Sequence, residues 1–179
     1  MMANKLLLVV DMQNDFVTGS LGTDQAREIL PRVCQKVREY LQEGNPVAFT
    51  LDTHGPDYLQ TQEGRHLPVE HCIRGTWGWQ LCDSLEELVD PSHHRIYEKN
   101  AFGSADLARD LEQGAYSHLE QVELVGVCTD ICVVSNALLF KTFLPELPVV
   151  VDAACCAGVT PESHQKALDT MAMCQVEIR

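Results

Sequence analysis

Leu6-Leu7-Leu8-Val9-Val10-Asp11 decides the reading of this chain: apolar residues in unbroken succession, then a carboxylate. The run is too short for a buried helix and shows no polar alternation, so it fits a strand covered on both faces. Working outward, largely apolar runs recur at Pro46 to Leu51, Val122 to Val127 and Pro148 to Asp152, and the more polar stretches His94 to Tyr97 and Gln175 to Ile178 also read as strands. Amphipathic stretches lie between them. Asp24 to Glu43 carries Ile29, Val33, Val37 and Leu41 at helical spacing, with Gly44 beyond its end. Leu81 to Val89 and Ile131 to Phe143 also read as helices. Ser104 caps a helix reaching Gln113, with Gly114 past it, and Thr160 caps one that starts at Pro161. Strand and helix alternate throughout. The fold class expected is α/β: a doubly wound parallel sheet of about six strands with helices on both faces, three layers in all.

The 179 residues fit one domain spanning 1–179, with no repeat, low-complexity tract or linker. A hydrophobic fraction of 45% supports a sizeable core. The formal net charge is −13, from 26 acidic and 13 basic residues. Such a surface repels phosphate backbones and anionic lipid, so neither nucleic acid nor membrane is an expected partner. No apolar run approaches the ~20 residues of a membrane helix. The apolar stretch after Lys5 is too short for a signal-peptide core, so a cytoplasmic location is expected. A homo-oligomer is compatible with the sequence. None of the eight cysteines is in C-x-x-C spacing. A reducing compartment argues against disulfides, and all but Cys132 read as small buried hydrophobes.

In sheets of this kind, ligands bind at the carboxyl ends of the strands. Asp11 ends the first strand, Asp52 and His54 the second, and Lys99 the third. Gly126-Val127-Cys128-Thr129-Asp130-Ile131-Cys132 joins the fourth strand to its helix. A single Asp after a strand is commonly a turn or cap residue; several reactive groups converging on one edge point to chemistry. Cys132 falls in the first turn of its helix, where free N–H groups and the positive dipole end favour a thiolate and would lower its pKa. Asp11 is the nearest carboxylate by topology to take the thiol proton. The backbone N–H groups of Cys128 and Cys132 are candidates for an oxyanion hole. The residue types alone equally allow Cys132 to be an ordinary buried helix residue.

A second cluster follows the second strand: Asp52, His54, Glu63, His66 and His71. An Asp-x-His pair leaving a strand offers two ligands on one side to a divalent metal, and Glu63 and His71 complete the shell. Nitrogen and oxygen ligation suits zinc first, with manganese or iron as alternatives. Seven histidines in the chain make a chance Asp-x-His pair easy. His93 and His94 precede the third strand at its opposite end and read as solvated.

At these residues the sequence resembles the isochorismatase-like cysteine hydrolases, and within them the nicotinamidases. The resemblance rests on Leu8-Val9-Val10-Asp11-Met12-Gln13-Asn14-Asp15-Phe16, Asp52-Thr53-His54, His71-Cys72-Ile73-Arg74-Gly75-Thr76, Lys99 with Ala101-Phe102-Gly103-Ser104, and Gly126 to Val133. These stretches run in the family's order along nearly the whole chain. The resemblance implies a triad of Asp11, Lys99 and Cys132. Asp11 would deprotonate Cys132, Lys99 would hold the carboxylate, and the thiolate would attack an amide carbonyl and release ammonia. It also implies a cis Val127–Cys128 peptide that turns the Cys128 N–H into the oxyanion hole. The nicotinamidase branch adds a metal that binds the pyridine nitrogen of the substrate. Asp52, His54 and His71 match its ligands, with Glu63 as the third ligand and His66 its rival. Phe16, Leu21 and Phe102 are the candidate pocket walls. The family's aromatic residue and paired prolines before the last metal His are replaced by Leu67-Pro68-Val69-Glu70, so one wall departs from the pattern.

Three activities compete on these grounds. The first is a nicotinamidase that works in NAD salvage. The second is a related cysteine hydrolase of another small amide or carbamoyl compound. The third is an inactive binding subunit, which the intact Asp11, Lys99 and Cys132 set argues against. The presence of Cys132 also argues against vinyl-ether cleavage by an isochorismatase proper.

Overall fold

The computed structural model describes residues 4–90 and 94–179. The strands are β1 (Lys5–Val10), β2 (Val47–Asp52), β3 (Arg95–Lys99), β4 (Gln121–Val127), β5 (Val149–Ala157) and β6 (Glu177–Ile178). They form one sheet in the order β3-β2-β1-β4-β5-β6, and every adjacent pair is parallel. The helices are α1 (Asn14–Val17), α2 (Asp24–Gln42), α3 (Gln62–His66), α4 (Asp83–Glu86), α5 (Ala105–Glu112), α6 (Val134–Phe143) and α7 (Pro161–Met173).

The unbroken apolar strands divide their side chains between two cores. Leu6, Leu8 and Val10 pack with Leu107, Phe140 and Met171 from α5, α6 and α7 on one face. Leu7 and Val9 pack with Ile29, Val33 and Val37 of α2 on the other. Each fully buried Leu or Val of this kind is worth roughly 1.5–3 kcal/mol. The three-layer α/β architecture is the expected one. Among the described residues, no helix is long and apolar enough to cross a membrane.

The chain moves outward from β1 to β2 and β3, then returns to place β4 on the other side of β1. The carboxyl ends of β1 and β4 therefore flank the crevice where strand order reverses, the position at which such sheets bind ligands. Gly126 makes their close approach work. Its φ is +116°, and a Cβ there would lie 2.2 Å from the Val10 carbonyl oxygen. The Val127–Cys128 peptide is cis, as the resemblance implies.

Several expectations are corrected. The helix expected from Ile131 opens instead with a π turn over Thr129–Val133, closed by Val133 N–H donating to the Cys128 carbonyl at 3.0 Å. Regular α geometry begins only at Val134. β5 continues past Asp152 to Ala157, because an irregularity opposite Leu124 and Gly126 resets its register with β4. Only Asp83–Glu86 of the stretch Leu81 to Val89 is helical. Cys174, read as buried, is exposed after α7, and Cys128 is only half-buried. All eight cysteines are free. His94 is half-buried against the Phe49 ring, 6.1 Å between centroids, rather than solvated. His93 lies outside the described residues.

Candidate active site

Asp11, Lys99 and Cys132 meet at the crevice. Asp11 leaves β1 with φ of 48°, a left-handed conformation that Asp tolerates better than most residues. Thr50 holds it there. The Asp11 N–H donates to the Thr50 carbonyl and hydroxyl oxygens, both at 3.2 Å, and the Thr50 hydroxyl donates back to Asp11 Oδ1 at 2.6 Å. Lys99 Nζ lies 2.7 Å from Asp11 Oδ2 and donates to Cys132 Sγ at 3.4 Å. All three residues are buried. The Asn136 amide braces the nucleophile turn by donating to the Cys132 carbonyl at 2.8 Å and to the Phe102 carbonyl at 3.3 Å.

Burial dominates the charges here. It pushes the Asp11 carboxyl above its ordinary value, while Lys99 opposes and Asp52 reinforces the rise. It pushes the Cys132 thiol up as well; Asp11 adds to this and Lys99 works against it. The lowered thiol pKa expected from the helix start is therefore corrected, because burial of the thiol disfavours its charged form. Burial alone would pull the Lys99 ammonium down, but Asp11, Cys132 and Asp52 hold it above its usual range.

Asp52, His54, Glu63 and His71 converge beside this group, with one ligand atom from each lying within 4.8 Å of the others. Asp52 Oδ2 stands 2.9 Å from His54 Nε2 and 3.5 Å from His71 Nε2. Glu63 Oε1 stands 4.0 Å and 3.8 Å from the same nitrogens. A tetrahedral shell with arms of about 2.0–2.2 Å places its ligand atoms roughly 3.3–3.6 Å apart, so the spacing fits a divalent ion. His71 Nδ1–H donates to the Val69 carbonyl at 2.8 Å, which leaves Nε2 free to ligate. The Tyr58 ring, fully buried, packs on His54 and His71 at 4.7 and 4.9 Å. Burial would raise the Asp52 carboxyl, but the facing His54 and His71 rings and the Lys99 charge hold it well below the usual carboxylate range. His66 stays outside this group: it is exposed, and its Nδ1–H donates to the Gln62 carbonyl at 2.8 Å.

A cavity of about 900 Å³ opens beside these residues, lined by His54, Glu63, His66, Leu67, Phe102 and Ile131 among others. Phe102 is thus a wall, 47% exposed at the rim. Phe16 lies against the His71 ring at 5.6 Å. Leu21 is half-buried and does not line this cavity; its N–H donates to the Asp15 carbonyl. Sequence reasoning missed Thr50, Tyr58 and Asn136. Asn136 had a signal, a polar residue one helical turn after Cys132. Thr50 and Tyr58 had none, because strand pairing and loop path decide their place.

The isochorismatase domain family matches residues 5–179. The chain belongs to the isochorismatase family. It is an isochorismatase-family hydrolase, and its similarity falls on the nicotinamidase branch. An uncharacterized isochorismatase family protein of Bacillus subtilis is 30% identical, over 94% of this chain and 94% of its own. A nicotinamidase of Saccharomyces cerevisiae is 27% identical over 75% of this chain and 80% of its own. The crystal structure of a pyrazinamidase of Pyrococcus horikoshii in complex with zinc superposes with a TM-score of 0.83 at 27% identity, covering 98% of both chains. The nicotinamidase relatives support a nicotinamidase or a related amidohydrolase of the isochorismatase family.

Proposed function

We propose that this enzyme hydrolyses nicotinamide to nicotinate and ammonia through a thioester on Cys132, as a cytoplasmic step of NAD salvage. The observation that carries the reading is the junction of two groups at one crevice. The buried Asp11–Lys99–Cys132 set shares Asp52, through Lys99, with a four-residue donor group. A nucleophile set alone would accept many small amides; the donor group beside it selects a substrate carrying a further ligating atom.

Asp11 takes the Cys132 proton as the sulfur attacks the amide carbon, and the buried Lys99 ammonium balances the charge of the pair. The backbone N–H groups of Cys128 and Cys132 are the proposed donors to the developing oxyanion. Asp11 returns the proton to the departing nitrogen, which leaves as ammonia. It then deprotonates a water that cleaves the thioester, releasing the acid and restoring the thiol. A divalent ion, zinc in the first instance, would be held by Asp52, His54, Glu63 and His71 and would supply an open ligand position to the pyridine nitrogen.

The test compares kcat/KM for nicotinamide, pyrazinamide and benzamide before and after metal removal. Nicotinamide and pyrazinamide are turned over and benzamide poorly, because a site built for a polar contact rejects an analogue that lacks it. Chelation erases the difference. A metal-loaded enzyme that treats nicotinamide and benzamide alike ends this reading. The second reading then replaces it: another small amide or a carbamoyl compound, which the wide cavity and the absence of an aromatic residue in Leu67-Pro68-Val69-Glu70 favour.

A further inference from the structure

Gln13 and Asp15 belong to neither the nucleophile set nor the donor group, yet each grips backbone at the donor group. Gln13 is fully buried. Its side-chain amide lies along the Asp52 main chain as a neighbouring strand would. Asp52 N–H donates to Gln13 Oε1 at 2.8 Å, and Gln13 Nε2 donates to the Asp52 carbonyl at 2.9 Å. The same Nε2 donates to the Trp79 carbonyl at 2.8 Å, tying in the loop that follows His71.

Asp15 grips that loop from the other side. Its Oδ2 accepts the Cys72 N–H at 2.8 Å, and the Cys72 carbonyl accepts the His54 N–H at 3.0 Å. Cys72 directly follows His71 and has φ of 47°, a conformation that persists only where its surroundings enforce it. The carboxylate fits because two neighbours lack side chains. A Cβ on Gly78 would lie 2.0 Å from Asp15 Oδ2, and one on Gly19 would lie 2.4 Å from Oδ1. A carboxylate seated between two glycines, holding a strained residue between two donor histidines, has a mechanical task that turn formation does not explain.

We infer that Gln13 and Asp15 are positioning residues for the metal centre. Gln13 sets Asp52 through its main chain, and Asp15 sets His71 and His54 through Cys72. The inference rests on the reading of Asp52, His54, Glu63 and His71 as ligands and is independent of which amide the enzyme cleaves. Asp11 lies on the same turn, so one short segment after β1 carries the proposed base and both grips.

The experiment measures zinc binding rather than turnover. Gln13→Met keeps the length of the side chain and loses every hydrogen bond; Asp15→Ala removes the carboxylate; Asp15→Asn keeps an acceptor for the Cys72 N–H. Zinc affinity is read by competition with a chromogenic chelator, and thermal unfolding is followed with and without zinc. Gln13→Met and Asp15→Ala weaken zinc binding roughly 10–100-fold, the usual consequence of losing support behind metal ligands. They also shrink the rise in unfolding temperature that zinc produces, and Asp15→Asn recovers most of both. Where one variant does not fold, the other decides. Variants whose apo form melts earlier but whose zinc affinity and zinc-dependent rise match the parent overturn the inference, since that pattern marks a merely structural role. A parent protein that binds no zinc overturns the ligand reading and this inference with it, whatever the amidase assay gives.

Discussion

Lys99 and Asp52 stand directly opposite each other in the β2–β3 register, and Lys99 Nζ lies 3.5 Å from Asp52 Oδ1. The other oxygen of that carboxylate faces His54 and His71. One Asp therefore connects the buried cation that holds Asp11 and Cys132 to the donor group. A change on either side is felt on the other.

Lys99→Met removes that cation and leaves Asp11 and Asp52 buried together. Turnover is lost, and stability at neutral pH falls by about 3–5 kcal/mol, the cost of stranding buried charge. The loss shrinks in acid. Burial already holds the Asp11 carboxyl above its ordinary value, and an acid whose folded pKa exceeds its unfolded one favours the folded state as pH falls through the folded value. Urea unfolding across a pH series measures this; a deficit that stays constant or grows toward low pH contradicts it.

Cys132→Ala abolishes amide hydrolysis, by roughly six orders of magnitude if it follows other triads stripped of their nucleophile. The fold survives, because the thiol fills little of the core. A slow substrate leaves an acyl mass on Cys132 of the parent enzyme. An adduct on the half-buried Cys128, or a working Cys132→Ala protein, sinks the assignment.

Glu63→Ala and His66→Ala separate the two rivals for the third ligand. Glu63 Oε1 sits within 4.0 Å of both donor histidines, whereas His66 is exposed and bonded to Gln62. Elemental analysis finds zinc depleted in the first variant and retained in the second. The reverse result exchanges their roles.

Gly126→Ala destabilises the protein by several kcal/mol. The substitution strains a backbone at φ +116° and drives a methyl to 2.2 Å from the Val10 carbonyl oxygen, which main chain cannot yield cheaply. Thermal unfolding checks it; a change within about 0.5 kcal/mol, typical of open surface sites, would show that β1 and β4 are free to separate.

The sheet and its layers were legible because apolar runs and helical spacing express burial directly. Asp11 and Asp52 were legible for a related reason: a polar residue that ends an apolar strand lies at the carboxyl edge of the sheet, and Lys99 reaches the same edge from the more polar β3. The thiol of Cys132 was misjudged because a helix start is visible in sequence while desolvation is not. The π turn was hidden for the same reason, since Thr129 to Val133 carries no residue that α geometry forbids. Thr50 sits inside an apolar strand and acquires its partner only when β1 and β2 pair, a contact between residues far apart along the chain. Of the three candidate walls Phe16, Leu21 and Phe102, Phe102 alone is among the residues lining the cavity beside the donor group.

The order of the groups along the chain separates the sulfur from the donor group. Asp11, the four residues of the donor group and Lys99 all precede residue 100, whereas Cys128, Cys132 and the turn that carries them follow β4. The donor group and the nucleophile thus lie in separate halves of the polypeptide, and Lys99 reaches Cys132 across the crevice between them. A substitution in the donor group therefore leaves the sequence of the turn that presents the sulfur untouched.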